Sequence, residues 1–176
     1  MRWALVLAAV AGLAGAAPRA PSVLPPGWRE IAWPFPRDAW PAGRAFRCDG
    51  AGCGGGLDVY VRPKLGFCNC TTGVTEDSEV DAVADLDMIR PDFIPAADGA
   101  PVRIAGIKGR ARSYTMADGQ PASGYALSTG CDLLVAASLG PAARSGVERV
   151  RALLEAPGVA PWIARTLGRA DPGAAG

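Results

Sequence analysis

The stretch LDVYVRPK, residues 57–64, alternates apolar and polar side chains and predicts the fold class of the chain. Leu57, Val59 and Val61 fall on one side of an extended strand, and the polar side chains between them fall on the other. A half-buried strand of this kind is typical of an antiparallel sheet. RAFRC, residues 44–48, precedes it across the glycine-rich turn DGAGCGGG, so we expect the two segments to form a hairpin.

Further strand candidates lie on both sides of this hairpin. They are WREIAW before it and DFIPA, PVRIAGI, GRARSYTM, YALSTG and CDLLVAASL after it. The connecting segments ADGAP and ADGQPASG have the composition of turns. The last strand is apolar on both faces after Asp132, so we expect it in the centre of the sheet.

Helical patterns follow the hairpin and end the chain. In TEDSEVDAVADLDMI, Val80 and Val83 share one face of a short acidic helix that begins near Thr75 or Asp77. Pro141 can begin a second helix, and PWIARTLG predicts a third. The sequence therefore predicts an α+β fold. It would contain a mostly antiparallel sheet of five to seven strands, one short helix inserted after the first hairpin, and a helical C-terminus over one face.

The N-terminus has the pattern of an exported protein. Residues 1–16 combine one positive charge, an uncharged apolar run and a final Ala-Gly-Ala, which predicts a cleaved signal peptide. The run is shorter than the ~20 residues that span a bilayer, so no membrane insertion is expected after cleavage. Residues 17–27 are interpreted as a proline-rich flexible lead-in, 28–168 as a single domain and 169–176 as a disordered tail. The expected location is the periplasm or the exterior.

Composition excludes several function classes. The chain has no histidine, which removes Ser-His-Asp and Cys-His nucleophilic pairs and histidine-ligated metals. It has 18 basic and 17 acidic residues, and removal of Arg2 leaves 17 of each, which argues against a nucleic-acid partner. We therefore favour a binding or accessory protein over an enzyme, with an unidentified protein or small molecule as its partner.

Five cysteines, an odd number, predict two disulfides and one remaining thiol in an oxidising compartment. Cys48 and Cys53 flank one turn and can close on each other. Cys68 and Cys70 lie one residue apart and bond each other poorly, because so small a ring strains the disulfide. The favoured pairing is therefore Cys48 with Cys53, and Cys131 with either Cys68 or Cys70. A cross-sheet pairing of 48 and 53 with 70 and 68 stays open.

The same cysteines permit two other interpretations. Cys68, Cys70 and Cys131 would give three thiolates to Cu(I), or Cys48, Cys53, Cys68 and Cys70 would give four to Zn. Alternatively, Cys68-Asn-Cys70 would perform thiol–disulfide exchange. The spacing differs from the usual C-x2-C of zinc sites. The favoured interpretation is structural disulfides without a cofactor.

One strand carries a basic and aromatic face. Lys108, Arg110, Arg112 and Tyr114 alternate with small residues and would fall on one side of that strand. Such a face could bind an anionic ligand. The alternative, which we prefer, is that it faces the acidic helix in ion pairs. The acidic candidates are Glu76, Asp77, Glu79, Asp81, Asp85 and Asp87.

Aromatic residues crowd the segment before the hairpin. Trp28, Trp33, Phe35 and Trp40 lie in WREIAW and in the following PFPRDAWPAG, whose three prolines exclude regular structure. They could line a ligand groove, but packing of an irregular segment onto the core is the favoured interpretation.

The combined pattern resembles a known group of proteins. AFRC, then DVYVRPKLGFCNCTTGV, the acidic DSEVDAVADLD, KGRARSY and CDLLVAA are similar to a group of small exported bacterial proteins of unknown function that share the RPKxGFCNC stretch. The resemblance covers residues 28–168. It implies a recurring architecture and no activity, and it assigns no functional residue.

Overall fold

The computed structural model describes residues 24–36, 38–49, 51–66 and 70–168. The predicted signal peptide, residues 17–23 of the lead-in, Cys68 and the tail lie outside these residues. In the described part of the chain, no helix is long and apolar enough to cross a membrane.

Eight strands form one antiparallel sheet. They are β1 (Trp28–Ile31), β2 (Arg44–Cys48), β3 (Leu57–Lys64), β4 (Phe93–Pro95), β5 (Ala100–Ile104), β6 (Ile107–Met116), β7 (Pro121–Thr129) and β8 (Asp132–Leu139). Their order is β1-β2-β3-β8-β7-β6-β4, and β5 pairs with β6 on the same flank as β4. The α+β class is confirmed. The expected count of five to seven strands is too low, because the long strand β6 is flanked on one side by two short strands.

The first hairpin and the central strand agree with the sequence pattern. β2 and β3 pair antiparallel with Cys48 opposite Leu57. β8 lies between β3 and β7, with six consecutive residues buried, which confirms its central position. A strand with neighbours on both sides and layers on both faces has no polar side to present, so its sequence is apolar throughout.

Four short α-helices of the described chain cover the sheet. They are α1 (Asp77–Val83), α2 (Leu86–Ile89), α3 (Val147–Leu154) and α4 (Ala160–Thr166). The acidic segment thus contains two helices rather than the one expected, because Asp85 adopts a φ of 60° and interrupts it. α1 is capped at Glu76, where the Glu79 carboxylate accepts hydrogen bonds from the backbone N–H groups of Thr75 and Glu76.

Both faces of the sheet are buried. One core lies between the sheet and α3–α4, and includes Phe46, Leu57, Val59, Val61, Tyr125, Leu127, Val150, Leu153, Leu154 and Ile163. The other lies under α1 and α2, and includes Val80, Val83, Ala84, Leu86, Tyr114, Met116, Leu133 and Val135. The helical C-terminus therefore covers one face as expected, and the inserted helices cover the other.

Two disulfides connect elements within the described residues. Cys48–Cys53 closes the β2–β3 turn and is buried, with 1% and 2% of the two residues exposed. Cys70–Cys131 joins the segment after β3 to the β7–β8 turn and is exposed. This is the favoured pairing, with Cys70 as the partner that the sequence left undecided.

Candidate functional site

The basic face of β6 lies against α1. Arg110 Nε forms an ion pair with Asp77, and Arg112 Nη1 lies 2.6 Å from Asp81 Oδ2. The hydroxyl of Tyr114 donates to Asp81 Oδ1 at 2.6 Å. Three of the four side chains proposed for an anion-binding face are thus held by aspartates of the acidic helix, as the preferred alternative expects.

On this face the positive charges of Arg110 and Arg112 are paired with the negative charges of Asp77 and Asp81. The hydrogen bond from Arg110, followed by one from the Gly99 N–H, lowers the pKa of Asp77. The same Asp77 contact raises the pKa of Arg110. Burial, then the hydrogen bond to Asp81, raises the pKa of the Tyr114 phenol. The Asp77 carboxylate is therefore ionised at neutral pH, and Asp77 and Asp81 occupy the guanidinium groups of Arg110 and Arg112.

Lys108, the fourth member of that face, has a different environment. It is exposed and lies directly opposite Arg103 in the β5–β6 register. Arg103 donates to the Gly106 carbonyl at 3.3 Å. Among the residues that the structure describes, neither cation has a carboxylate within ion-pair distance. Two like charges directly opposite each other on neighbouring strands repel, so a bound anion would relieve this repulsion.

A groove of about 590 Å³ opens at these two cations. This volume lies within the range of small-molecule sites, roughly 300 to 1,000 Å³. Among its described lining residues, four are basic and none is acidic. The lining consists of Thr72, Val74, Thr75, Pro101, Val102, Arg103, Lys108, Gly109, Arg110, Ser128 and Arg151.

The segment after the Cys70–Cys131 disulfide builds the wall with hydroxyl groups. The Val74 N–H donates to Ser128 Oγ at 3.1 Å, which holds this segment against β7. A side chain at Gly73 would collide with Ser128 Oγ, and its φ of 67° favours glycine, so the close approach depends on that residue. Thr72 and Thr75 therefore line the groove on either side of the contact.

The groove has the donor groups of an anion-binding site. Lys and Arg donors bind phosphate and carboxylate oxygens, and neighbouring hydroxyls add donors that adapt to the anion. The chain contains no histidine to serve as a general base beside those hydroxyls. The arrangement is thus suited to hold an anionic group on two cations of an edge hairpin.

The cysteines proposed as metal ligands or as a redox pair are bonded in the structure, with Cys68 outside the described residues. Cys70 and Cys131 are bonded to each other, so in this oxidised form neither is a thiolate available to Cu(I) or Zn. Cys48 and Cys53 are also paired, and Cys68 lies outside the described residues. Within the described ranges, no group of three His, Cys, Asp or Glu side chains could hold a metal ion.

Sequence reasoning missed a buried ion cluster under α2. Arg62 and Lys64 of β3 both contact Asp85, and the exposed fractions of the three side chains are 4%, 8% and 13%. The alternation of β3 assigned Arg62 to a polar side, and nothing in the sequence indicated that the αL residue Asp85 would cover it. The sequence does show two cations, Arg62 and Lys64, on the same side of β3 near its end, and this pair was the available signal for an ion cluster.

Comparison with known proteins adds no assignment. No protein-family model matches the chain, and no curated protein matches its sequence.

Proposed function

We propose that this protein is an exported, disulfide-stabilised binding domain whose groove at β5 and β6 holds a small anionic ligand with phosphate or carboxylate groups. The observation that carries the proposal is the opposed pair Arg103 and Lys108. The pair lines a groove in which the described lining contains four cations and no acid.

Two independent features support an exported location. Residues 1–16 have the pattern of a signal peptide, and the two disulfides are stable in an oxidising compartment. We assign the mature chain to the periplasm or the exterior. A binding or accessory role there needs no cofactor, and the partner is an anionic small molecule or an anionic group on a protein.

Isothermal titration calorimetry of the oxidised mature protein tests the groove, with inorganic phosphate and citrate as probes at low ionic strength. Lys108→Gln combined with Arg103→Gln should weaken binding about tenfold or more, because both charge-assisted contacts are lost. Added salt should weaken binding to the unmodified protein, because these cations are exposed.

Arg144→Gln combined with Arg165→Gln is the matched control. Both are exposed cations outside the groove, so their loss removes two positive charges, as the groove variant does. Binding that falls as much in this control as in the groove variant would indicate a general charge effect and contradict the proposal. The absence of binding to both probes would contradict it as well.

A thiol-based role is the second candidate, and the exposure of Cys70–Cys131 favours it. Exposed disulfides exchange more readily than buried ones, and Cys68 lies two residues away in the sequence. Native mass spectrometry and alkylation without reductant test this role. Four protected cysteines and no metal mass support the binding domain. Three or more reactive thiols with bound copper or zinc support a metal carrier.

A further inference from the structure

The groove at Arg103 and Lys108, called the basic groove below, contains a row of hydrogen-bond donors from three neighbouring strands. Arg103 of β5 lies directly opposite Lys108 of β6, and Lys108 lies directly opposite Ser128 of β7. Residues directly opposite each other project from the same face of a sheet, with Cβ atoms about 5 Å apart. All three line the groove, so two cationic side chains and one hydroxyl can contact the same ligand.

These side chains have donors left for a ligand. Arg103 uses one N–H, on Nη1, for the Gly106 carbonyl oxygen, and a guanidinium has five. Among the described residues, none accepts a hydrogen bond from the Lys108 ammonium, which has three N–H donors. Ser128 Oγ accepts from the Val74 N–H at 3.1 Å, so the hydroxyl hydrogen can still be donated.

The carboxylates closest to this row in the fold are bound to other groups. Asp77 forms an ion pair with Arg110, which also lines the groove. Glu148 forms one with Arg151, the fourth cation of the lining, at 2.8 Å. Glu155 accepts from a backbone N–H of the β5–β6 turn at 2.9 Å. The opposed pair therefore has no described carboxylate at ion-pair distance to balance its two positive charges.

Two neighbouring cations favour a ligand group that carries two negative charges. A monoanion neutralises one cation and leaves the other, whereas a dianion neutralises both. Residues 67–69, which precede this wall in the sequence, are Phe-Cys-Asn and supply no carboxylate. A phosphate monoester has two charges and three terminal oxygens on one phosphorus atom, and these can accept from the guanidinium, the ammonium and the hydroxyl together. A carboxylate has one charge and two oxygens.

The basic groove is larger than one phosphate group. Its volume of about 590 Å³ is that of a site for an entire small molecule. Beside the row of donors, the lining includes the hydroxyls of Thr72 and Thr75 and the apolar side chains of Pro101 and Val102. These groups can contact the organic part of an ester, which inorganic phosphate lacks.

We propose that the basic groove selects the dianionic phosphate group of a small-molecule phosphate monoester over carboxylates and phosphate diesters. Arg103, Lys108 and Ser128 hold the phosphate, and the organic part lies against Pro101 and the two threonines. This inference rests on the proposed function, because it names the ligand class of the same groove.

The charge of a phosphate monoester changes in a pH range where the groove does not titrate. Its second proton leaves near pH 6, so the dianion rises from about a tenth of the ligand at pH 5 to about nine tenths at pH 7. The charged side chains around the row are Arg, Lys, Asp and Glu, which ordinarily titrate outside this range. The chain has no histidine, and the pKa of Asp77 lies below its usual value because Arg110 donates to it.

Isothermal titration calorimetry of the mature oxidised protein at pH 5 and pH 7 and low ionic strength tests this selectivity. The probes are phenyl phosphate, glucose 6-phosphate, inorganic phosphate, benzoate and the diester methyl phenyl phosphate. The affinity for at least one monoester should rise about tenfold from pH 5 to pH 7 and should then exceed that for inorganic phosphate. Benzoate and the diester should bind about tenfold more weakly than that monoester at pH 7 and change little with pH.

Lys108→Gln should weaken monoester binding about tenfold at pH 7 and reduce its dependence on pH, because only one cation then meets the second charge. Arg165→Gln removes an exposed cation outside the groove and should leave both properties unchanged. A pH dependence that is the same in Lys108→Gln as in the unmodified protein would place the phosphate on another surface and overturn the proposal.

The other outcomes separate this inference from the proposed function. Equal affinity for benzoate and phenyl phosphate at both pH values would overturn the phosphate selectivity, while the anion site would stand. Monoesters that bind no more tightly than inorganic phosphate would overturn the ester and indicate free phosphate as the ligand. No binding of any probe would overturn this inference and the proposed function together.

Discussion

Ala105 and Asp85 are the two non-glycine residues in the described chain with positive φ angles, 51° and 60°. Left-handed backbone is costly for side chains other than glycine, asparagine and aspartate. Asp85 is an aspartate, and its side chain is held by Arg62 and Lys64. Ala105 is not one of the tolerant residue types. The tip of the β5–β6 hairpin therefore stores strain beside the proposed anion site.

Ala105→Asn should stabilise the protein by about 0.5 to 1 kcal/mol, because asparagine tolerates the left-handed region better than alanine. The Ala105 N–H bond to Glu155 Oε1, 2.9 Å, involves only the backbone of residue 105 and is retained. Urea unfolding measures the change. Ala100→Asn, at an exposed position of β5 outside the positive-φ set, is the control and should give no gain. Equal effects in both variants would argue against strain at residue 105.

Asp85→Asn should destabilise the protein by roughly 3 to 5 kcal/mol, because it leaves Lys64 and part of Arg62 buried without the compensating charge. Asparagine adopts the same φ, so the loss reports the charge and not the backbone. Denaturant unfolding measures it. Asp118→Asn breaks the exposed pair with Arg90 and should cost at most about 1 kcal/mol. A loss of similar size in both variants would show that burial does not matter here.

Helix α1 is attached to the sheet by charge as well as by its apolar face. Val80 and Val83 point into the second core, while Asp77 and Asp81 contact the cations of β6. A seven-residue helix is too short to be stable alone, so these tertiary contacts determine whether it forms.

Acid should weaken this attachment. Asp77 titrates near its ordinary value of about 4 in the unfolded chain and at a lower pH in the folded one, because Arg110 stabilises its carboxylate. Its stabilisation is thus complete above about pH 4 and is lost as the pH falls through the lower, folded-state pKa. Urea midpoints measured from about pH 6 down to about pH 2 should fall, and less steeply in Asp77→Asn. Parallel profiles would contradict this assignment.

The pairing of α1 with β6 could be predicted from sequence, because it needed only the strand alternation of β6 and the helical spacing of α1. Alternation placed Arg110, Arg112 and Tyr114 on one side of a strand, and the acidic helix was the nearest opposite charge. The division of the acidic segment could not be predicted. It depends on Asp85, whose backbone conformation is stabilised by cations about 20 residues earlier in the chain. The groove was only partly predicted, since Lys108 was identified but its register partner Arg103 was not.

At the scale of the whole molecule, the Cys70–Cys131 disulfide spans more sequence than the Cys48–Cys53 disulfide. Cys70 and Cys131 are 61 residues apart, whereas Cys48 and Cys53 are five apart. The long loop contains α1, α2 and β4 to β7, and every described lining residue of the basic groove except Arg151. The chain-entropy relation gives about 4 kcal/mol for a loop of the longer size and about 2 kcal/mol for the shorter one.

Replacing both Cys70 and Cys131 with alanine should therefore lower the free energy of unfolding by about 4 kcal/mol, because the unfolded chain regains the freedom of the long loop. Chemical denaturation under non-reducing conditions measures the loss. The oxidised unmodified protein is the reference, because the double variant keeps the Cys48–Cys53 bond and differs from it in one disulfide. An unchanged free energy of unfolding in the double variant would show that the Cys70–Cys131 bond does not contribute to stability.

The same bond has a consequence for proteolytic cleavage of the chain. A single cut anywhere from residue 71 to residue 130 would divide the polypeptide, but the two fragments would remain covalently joined through Cys70 and Cys131. The exposed turns between β4 and β7 lie in this interval, so a cut at any of them leaves two fragments that the bond still joins. A nicked molecule would migrate as one band without reductant and as two with it.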